Sequence, residues 1–597
     1  MNIKLSKTEI RSYLGDVLPI SVISDTPLSP NSVKWEINGV SASYRSFEND
    51  AELPFSDTVL VSLKSPGEAR ITATVNDTSV SCDIKVRERE SSLGDFEFFR
   101  GDLHSHTTHL HNHEQFIARD AGFQGDMIEA LRAEAILDFG VLSDHSSVMG
   151  GGYEFVRGFL AEEAARPMSP IIFPGAESAI MKIEPNRLGV DCRHGGEIVS
   201  INADNHVRAK EWSDFLEAYK TSAEPVLIFA HPLTDSPIYG CADFQFEKIC
   251  RYPELLRMIK CIEMGNGNPI KANVLHEYAY TRALDAGFRL TASCGSDRHE
   301  LHGFKHSPGR TVVMAKEKSR EAIIDSLLNL RAYATESGNV KLKYTVNGSP
   351  APCDLPLTNL YKFEVDIDYF DNDESTKITK CQVVSDRGEW VGILDNITDN
   401  HFELEIKSDT ARYFYLRLQD SLGRRTWSMP VWCSRQFDKF DSASFKQIES
   451  ADFSATDIKT GADATAAIRG ELTAPYVSEK NSAEILIDMK SVYEISALGY
   501  SSPRIPRDAA VIHTGAVINH VRFPRRIKIS TSLDGSSFKT AYEGGMLKYS
   551  DEEIFEFEKR NARFVKFEVL STVADEYGRP EFSNLGTMVG LISLLYD

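Results

Sequence analysis

Five of the sixteen histidines of this chain lie between positions 104 and 113. They are His104, His106, His109, His111 and His113. The residues just before them, 96–99, are apolar and aromatic and predict a short strand. Side chains at i and i+2 of a strand point to the same face, so His104 and His106 can bind one metal ion. The alternative is a polar loop, but matching ligand types recur downstream and favour a metal site.

Further residues of metal-binding type follow predicted strands later in the chain. They are His145, Glu177, His231, Asp297 and His299. A single histidine at a strand end is more often a satisfied core residue than a ligand. Several such positions in order are different, because a β/α barrel carries its active site at the carboxyl ends of its strands. We therefore predict that these side chains converge on one pocket.

The surrounding sequence predicts a multidomain α/β plus all-β protein. Residues 1–95 alternate short apolar and polar runs, which indicates a small β-sandwich. Its Trp35, the later segment Gly67-Glu-Ala-Arg-Ile-Thr-Ala73 and a final strand resemble bacterial immunoglobulin-like modules. Residues 96–340 alternate strand-like runs with helical periodicity, as at residues 127–136, and this region has the length of one barrel. Residues 341–435 predict a second small β-sandwich, and residues 436–597 predict a further all-β domain.

The ordered motifs of the barrel region resemble those of the polymerase and histidinol phosphatase (PHP) superfamily of metallohydrolases. The motifs are Asp102-Leu-His-Ser-His-Thr107, Ser143-Asp-His145, Gly175-Ala-Glu177, Ala230-His-Pro232 and Gly295-Ser-Asp-Arg-His299. The segment Glu263-Met-Gly-Asn-Gly267 and the following sandwich resemble the branch that contains carbaryl-type amide or ester hydrolases. The resemblance implies a distorted (β/α)7 barrel with two or three divalent ions, usually zinc, manganese or iron, at its mouth.

Carried over by position, the resemblance also implies which side chains bind each ion. The implied ligands are His104, His106, Glu177 and Asp297 for the first ion, the bridging Glu177 with His231 and His194 for the second, and His145, His299 and His111 for the third. His206 is a weaker alternative to His194. His109 and His113 are alternatives to His111, because the related hydrolases usually carry an aspartate where this chain has His111.

A metal-activated hydroxide would be the nucleophile, since the chain has neither a G-x-S-x-G elbow nor a Walker-type phosphate loop. Arg298 and Arg310 would clamp an anionic group of the substrate, with ordinary ion pairing as the alternative. His302 or His306 would act as general acid.

Three further side chains near the motifs have predicted supporting roles. Asp102 and Asp144 would orient imidazoles, because each lies beside a candidate ligand. Cys294 is predicted to be a buried structural residue rather than a soft ligand.

The C-terminal region contains a second resemblance. The turn Ser532-Leu-Asp-Gly-Ser-Ser-Phe538 and the later segment Ala562-Arg-Phe-Val-Lys566 resemble the discoidin (coagulation factor 5/8 type C) jelly roll. This implies a carbohydrate partner at loops near one end of the domain, with a purely structural domain as an equal alternative. The candidate contacts are Tyr500, Arg504, Arg507 and His513.

Bulk composition limits the partners. A formal net charge of −21 argues against nucleic acid or an anionic membrane surface. The chain has no apolar run long enough to span a membrane, and its first ten residues lack the apolar core of a signal peptide. These two features predict a cytoplasmic protein, or a secreted one if a leader has been removed. Nine cysteines without a CxxC pair predict a reduced chain.

The sequence thus predicts a metal-dependent hydrolase. The leading hypothesis is a phosphomonoesterase or phosphodiesterase that acts on a small or glycan-linked anionic substrate. Hydrolysis of an amide, carbamate or carboxylic ester at the same site is the first alternative. A non-catalytic metal- or glycan-binding protein is the second.

Overall fold

The computed structural model of the chain is built mostly from β-strands in several sheets. It describes residues 2–13, 17–29, 32–39, 42–46, 56–88, 93–106, 137–146, 170–180, 196–203, 212–219, 225–232, 235–236, 240–241, 244, 246–249, 252–266, 273–298, 309–433, 446–448, 451–455, 476–501, 522–546, 552–577 and 586–596. The multistranded, largely β character that the sequence predicts is confirmed.

The N-terminal strands form two four-stranded sheets, β1-β3-β6-β5 and β2-β8-β7-β4. The strands are β1 Ile3–Leu5, β2 Glu9–Tyr13, β3 Val17–Ser24, β4 Lys34–Gly39, β5 Ala42–Ser46, β6 Ser56–Leu63, β7 Gly67–Val75 and β8 Thr78–Arg87. Alternate residues of β7 are buried, among them Ile71 and Ala73, and they pack with Ile20, Val59 and Trp35 in one core. Because this core includes residues of both sheets, the two sheets pack face to face as the layers of a sandwich.

The central region contributes eleven strands and five described helices. The strands are β9 Glu97–Asp102, β10 Phe139–Leu142, β11 Ile171–Ala179, β12 Glu197–Ile201, β13 Val226–Ala230, β14 Asp235–Ser236, β15 Gly240–Cys241, β16 Ile259–Asn266, β17 Thr291–Gly295, β18 Arg310–Ala315 and β19 Ala332–Thr335. The helices are α1 Trp212–Tyr219, α2 Phe246–Ile249, α3 Pro253–Met258, α4 Asn273–Asp285 and α5 Arg320–Leu328. The helix predicted at residues 127–136 lies outside the described residues.

Seven of these strands form a ring in the order β9-β10-β11-β12-β13-β16-β17. The ring closes because the segment after β9 pairs with the end of β17. Leu103 N donates to Cys294 O at 3.4 Å, and Asp297 N donates to His104 O at 2.7 Å. A parallel bridge between Ser105 and Arg298 continues this pairing. The described strands therefore enclose a barrel-like core, while membership of the PHP superfamily stays a prediction.

One strand of the ring runs against the others. Strand β12 is antiparallel to both β11 and β13, whereas the pairs β9–β10, β10–β11, β13–β16 and β16–β17 are parallel. The start of β12 therefore lies at the edge where its neighbours end. Glu197, the first residue of β12, is opposite Ala230, the last residue of β13.

The next ten strands extend the sheet of the ring and add a separate four-stranded sheet. These are β20 Val340–Val346, β21 Ser349–Pro350, β22 Asp354–Leu355, β23 Leu360–Tyr369, β24 Ile378–Val384, β25 Trp390–Asp395, β26 His401–Lys407, β27 Tyr413–Asp420, β28 Arg425–Trp427 and β29 Val431–Cys433. Strand β18 pairs with β9, β19 with β18, and β28 with β19. The sheet β21-β20-β23-β26 packs against this extension through a shared core that includes Leu342, Phe363 and Leu416.

A buried charged network joins helix α4 to the extended sheet. Glu277 of α4 lies 2.9 Å from Arg417 Nε of β27 and 3.3 Å from Arg425 Nη1 of β28. Arg425 Nη2 is also 3.2 Å from Glu336 Oε1. All four residues are buried. The two carboxylates and the two guanidinium groups neutralise one another's charge at a place where water does not solvate them.

The N-terminal sandwich contacts the barrel region through helix α3. Glu254 is 4% exposed, and its Oε1 accepts hydrogen bonds from the hydroxyls of Ser6 at 2.6 Å and Ser21 at 3.3 Å. Ser6 follows strand β1 and Ser21 lies in strand β3, so one carboxylate holds two parts of the sandwich against α3.

The C-terminal strands form a seven-stranded sheet with the path β30-β38-β33-β36-β34-β35 and β31 beside β33, together with the pair β32–β37. The elements are β30 Lys446–Gln447, β31 Asp452–Ala455, β32 Tyr476–Val477, β33 Ala483–Ser501, β34 Pro524–Ser532, β35 Lys539–Gly545, β36 Glu552–Thr572, α6 Val573–Tyr577, β37 Met588–Val589 and β38 Leu591–Tyr596. Its core includes Ile485, Ile527 and Phe567.

A turn of the second sandwich, Asp386–Gly388, lies between the barrel and the C-terminal sheet. Arg387 N donates to both carboxylate oxygens of Asp285, the last residue of α4, at 3.2 Å. On the other side of the turn, Arg525 Nη2 donates to Gly388 O at 2.8 Å. The turn therefore connects three predicted domains.

Among the described residues no helix is both long and apolar enough to cross a membrane. The six cysteines whose side chains are described are buried and form no disulfide with one another.

Candidate metal centre

The ring of strands brings six of the predicted ligands together. His104 and His106 follow β9, His145 follows β10, and Glu177 lies within β11. His231 follows β13 and Asp297 follows β17. Strands β10, β13 and β17 are buried along their length and β9 is buried at its carboxyl end, so the polar side chains that follow them lie at the mouth of the ring.

The first group consists of His104, His106, Glu177 and Asp297, whose potential ligand atoms lie within 4.8 Å of one another. His104 Nε2 is 3.1 Å from His106 Nε2 and 3.2 Å from Glu177 Oε1. His106 Nε2 is 3.0 Å from Asp297 Oδ1. Two imidazoles and two carboxylates directed at one point match the ligands that zinc, iron and manganese take in proteins.

The second group consists of His145, Glu177 and Glu197. His145 Nδ1 is 2.9 Å from Glu177 Oε2. His231 joins this side of the site, because its Nε2 lies 3.0 Å from Glu177 Oε1 and 3.2 Å from Glu197 Oε2. Glu177 is thus shared by both groups, in the bridging position that the resemblance implies.

Glu197 is the residue that sequence reasoning missed. The predicted ligands belong to the carboxyl ends of strands, because parallel strands place their following residues at one edge. Glu197 begins a strand instead, and it reaches the same edge because β12 runs in the opposite direction. The reversal could not be read from the apolar pattern of residues 197–201, which is the same in either direction.

The short distances between these imidazoles and carboxylates shift their pKa values. Burial raises the pKa of the Glu177 carboxyl, but His104 and His145 outweigh it and hold the pKa well below its usual range. Burial lowers the pKa of His145, yet the Glu177 charge raises it overall to about 9. The pKa of His104 is likewise raised well above its usual value, because Glu177, Glu263 and Asp297 outweigh burial.

Two buried carboxylates hold the ligands in place. Asp102 Oδ1 accepts from His104 N at 3.1 Å and from Ser296 N at 2.9 Å, so it fixes the backbone of two ligand-bearing segments. The prediction that Asp102 orients an imidazole is therefore wrong. That contact is made by Glu263, whose Oε1 lies 2.9 Å from His104 Nδ1. Asp144 contributes its backbone carbonyl, which accepts from Glu177 N at 3.0 Å.

Two candidate ligands have left-handed backbone conformations. His231 has φ of 26° and Asp297 has φ of 49°. Non-glycine residues adopt such values rarely, and they persist where surrounding contacts over-determine them. The hydrogen bonds from His231 N to Glu263 and from Asp297 N to His104 O are contacts of that kind.

Gly295 leaves room for His104 and Glu263. A Cβ at this position would lie 2.3 Å from His104 Cβ and 2.4 Å from Glu263 Oε1. We expect Gly295→Ala to displace both side chains, to weaken metal binding, and to reduce the free energy of unfolding by about 1–3 kcal/mol. Gly309→Ala is the control, since its Cβ would meet Cys294 Sγ at an ordinary 3.6 Å. Equal metal affinity and stability of the two variants would contradict the prediction.

The predicted catalytic arginines differ in their surroundings. Arg298 is partly exposed beside Asp297, and among the described residues its Nε has no hydrogen-bond partner. Arg310 is 1% exposed, and its Nη1 donates to Gly309 O at 2.7 Å. Its charge opposes the rise that burial causes in the pKa of Asp102. Arg310 thus lies inside the wall of the site, where its charge acts on Asp102, and its direct contact with a substrate stays a prediction.

Cys294 is buried, and burial raises the pKa of its thiol. The side chain packs in a hydrophobic core with Leu290 and Ala292, which agrees with a structural role. Several other predicted site residues lie outside the described residues. They are His109, His111, His113, His194, His206, His299, His302 and His306.

Comparison with known proteins gives two curated relatives, both named uncharacterized proteins. One is from Chlamydia muridarum, with 24% identity over 250 residues, covering 36% of this chain and 39% of the relative. The other, from Chlamydia trachomatis, is 24% identical over 251 residues with the same coverage. The chain thus spans about 39% of the length of the curated relatives it matches. No protein-family model matches the chain.

Among solved structures, the chain is similar to carbohydrate-binding modules from Clostridium perfringens. One is in complex with GalNAc-β-1,3-galactose, with 17% identity, a TM-score of 0.20, and coverage of 25% of this chain and 99% of the module. A family 32 module in complex with galactose is 11% identical, with a TM-score of 0.20 and coverage of 26% and 99%. Both are of the discoidin-like type that the sequence predicts at the C-terminus. TM-scores of this size assign neither a fold nor a ligand to the chain.

Proposed function

We propose that this protein is a metal-dependent hydrolase whose metal centre lies at the mouth of the strand ring. The observation that carries the proposal is the position of Glu177, a buried carboxylate whose Oε1 lies near His104 and His231 and whose Oε2 lies near His106 and His145. The ordered motifs that resemble the PHP superfamily support the same conclusion.

The residues fit two divalent ions. His104, His106 and Asp297 would hold the first ion, His145, His231 and Glu197 the second, and Glu177 both. When bound, such ions supply an activated water as nucleophile and neutralise negative charge on a phosphoryl or carbonyl oxygen. Zinc, manganese and iron all suit this mixture of imidazole and carboxylate. His111, His194 and His299 remain predicted ligands from the sequence.

Ester hydrolysis at phosphorus is the reaction that we favour, on a small or glycan-linked anionic substrate. Arg298 supports this choice, because it follows Asp297 in the chain and its buried Nε has no hydrogen-bond partner among the described residues. A guanidinium binds the oxygens of a phosphoester by charge-assisted hydrogen bonds. Hydrolysis of an amide, carbamate or carboxylic ester is the alternative for the same site.

Metal content and hydrolysis can be tested together on the full chain. We expect about two metal ions per chain after growth with added Mn²⁺ or Zn²⁺. We also expect hydrolysis of nitrophenyl phosphate or bis-nitrophenyl phosphate above that of nitrophenyl acetate. Less than one ion per chain would contradict the metal centre. Faster hydrolysis of the acetate would favour the carboxylic-ester alternative.

Metal binding is expected to release protons. At pH 7 the raised pKa values of His104, His145 and His231 keep protons on imidazoles that must be neutral to bind metal. The apparent affinity for Zn²⁺ should therefore rise as the pH increases from about 6 to about 9. Calorimetric titrations in buffers of different ionisation enthalpy measure the released protons. An affinity that does not change over this pH range would contradict the prediction.

A second candidate function is carbohydrate binding by residues 436–597, without catalysis. The resemblance of Ser532-Leu-Asp-Gly-Ser-Ser-Phe538 to the discoidin jelly roll favours it. The proposed contact Tyr500 is wrong, however. Its ring is buried and stacks on Phe567, and its hydroxyl accepts from Gly590 N at 3.1 Å. Arg504, Arg507 and His513 lie outside the described residues.

A titration of the full chain with galactose tests this second function. Heat of binding from galactose, unchanged after the metal is removed with a chelator, would support a separate carbohydrate site. The absence of binding would argue against galactose as the ligand of this domain.

A further inference from the structure

Glu263 is a buried carboxylate of strand β16 that touches both groups of candidate ligands. Its Oε1 lies 2.9 Å from His104 Nδ1. Its Oε2 accepts from His231 N at 2.7 Å and from Asn266 Nδ2 at 3.0 Å. One side chain therefore contacts an imidazole of the first group and the backbone of a ligand of the second.

The contact with His104 determines which ring nitrogen faces the site. An ionised carboxylate only accepts hydrogen bonds, so His104 Nδ1 carries the proton and donates it to Glu263. The other nitrogen, Nε2, lies 3.2 Å from Glu177 Oε1 and 3.1 Å from His106 Nε2. In the neutral imidazole its lone pair is thereby directed at the place where a metal would bind.

The contact with His231 determines the backbone at a strained residue. His231 has φ of 26°, and its N–H is directed at Glu263 Oε2. Without this acceptor the partly buried N–H of His231 would lose its partner, and the left-handed conformation would lose one of the contacts that maintain it. Gly295 provides the space in which Glu263 and His104 approach each other.

We infer that Glu263 is a positioning residue that selects His104 Nε2 as a metal ligand and separately fixes the backbone of His231. The inference rests on the proposed function, because it concerns the same metal centre. Glu263 itself belongs to neither group of ligand atoms.

The variant Glu263→Gln separates the two tasks. Asn266 Nδ2 and His231 N both donate to Oε2, so the glutamine oxygen takes that position and its NH2 group faces His104 Nδ1. An amide NH2 only donates, so Nδ1 must accept and the proton of neutral His104 moves to Nε2. Metal affinity of the first group should therefore fall about 10- to 100-fold, while the second group keeps its affinity.

The test is a titration of the metal-free full chain with Co²⁺, followed by calorimetry and by visible absorption, which reports the ligand geometry. We expect two binding steps in the wild type and, in Glu263→Gln, one weakened step with altered absorption beside one unchanged step. The matched control is Glu254→Gln, which alters a buried glutamate of helix α3 whose partners are Ser6 and Ser21. This control should bind Co²⁺ as the wild type does.

Three results would overturn the inference: unchanged binding in Glu263→Gln, equal weakening of both steps, or weakening in Glu254→Gln to the same degree. A wild type that binds no Co²⁺ would contradict the proposed function instead.

If Glu263→Gln does not fold, Asn266→Ala replaces it. This variant removes one of the two donors that orient Oε2 and should weaken the first step about two- to tenfold. Wild-type affinity in Asn266→Ala would then overturn the inference.

Discussion

Glu177→Ala is expected to reduce the proposed hydrolysis to below about one-thousandth of the wild-type rate, because it removes a ligand from both metal groups at once. Glu177 Oε1 lies 3.2 Å from His104 Nε2 and 3.0 Å from His231 Nε2, and its Oε2 lies 2.9 Å from His145 Nδ1. The variant should also bind less than one metal ion per chain. Rates are measured on nitrophenyl phosphates, and metal content is measured by elemental analysis.

Glu254→Ala is the matched control for this variant. It deletes a buried carboxylate of the same region, but one that contacts Ser6 and Ser21 and no candidate ligand. We expect it to keep its metal and its rate, even if the N-terminal sandwich is held less firmly. Full activity in Glu177→Ala would contradict the assignment of Glu177 as the shared ligand.

Glu277→Ala is expected to have the largest effect on stability. The substitution leaves Arg417 and Arg425 buried without the carboxylate that lies 2.9 Å and 3.3 Å from them. Removing one partner of a buried ion pair typically costs about 3–5 kcal/mol, because the remaining charge stays in a poorly solvated environment. Denaturant unfolding, followed by tryptophan fluorescence, measures the loss. Trp427, which is fully buried on strand β28, lies close to this network.

The control for stability is Glu403→Ala. Glu403 also pairs with a cation, Lys362 at 3.0 Å, but both side chains are about half exposed. Water and salt screen such a pair, so the midpoint of unfolding should not change. If Glu277→Ala and Glu403→Ala unfold at the same denaturant concentration, the buried network does not hold helix α4 to the extended sheet.

Much of the candidate site could be predicted from local sequence. Five candidate ligands each follow an apolar run of the sequence. They are His104, His106, His145, His231 and Asp297. Any fold in which these runs form parallel strands places the five residues at the same edge of the sheet. The structure brings these residues together with Glu177. Local patterns were sufficient here because a strand and the ligand after it are neighbours in the chain.

The supporting residues could not be predicted in the same way. Glu263 and His104 are 159 positions apart, and their contact exists because β9, β16 and β17 approach one another in the closed ring. Arg310 has the sequence context of a mouth residue, yet the pairing of β18 with β9 places it inside the wall. Tyr500 was expected in a loop, but the long strand β33 includes it in the core.

The sequence by itself predicted the type of chemistry, since imidazoles and carboxylates in this order after apolar strands are suited to binding divalent metal ions. It also determined the β-rich character of the chain through period-two patterns. Only the tertiary structure decided the membership of the second group. Glu197 joins His145 and His231 because strand β12 is reversed. The direction of a strand depends on its hydrogen-bonded neighbours, and its own residues do not encode it.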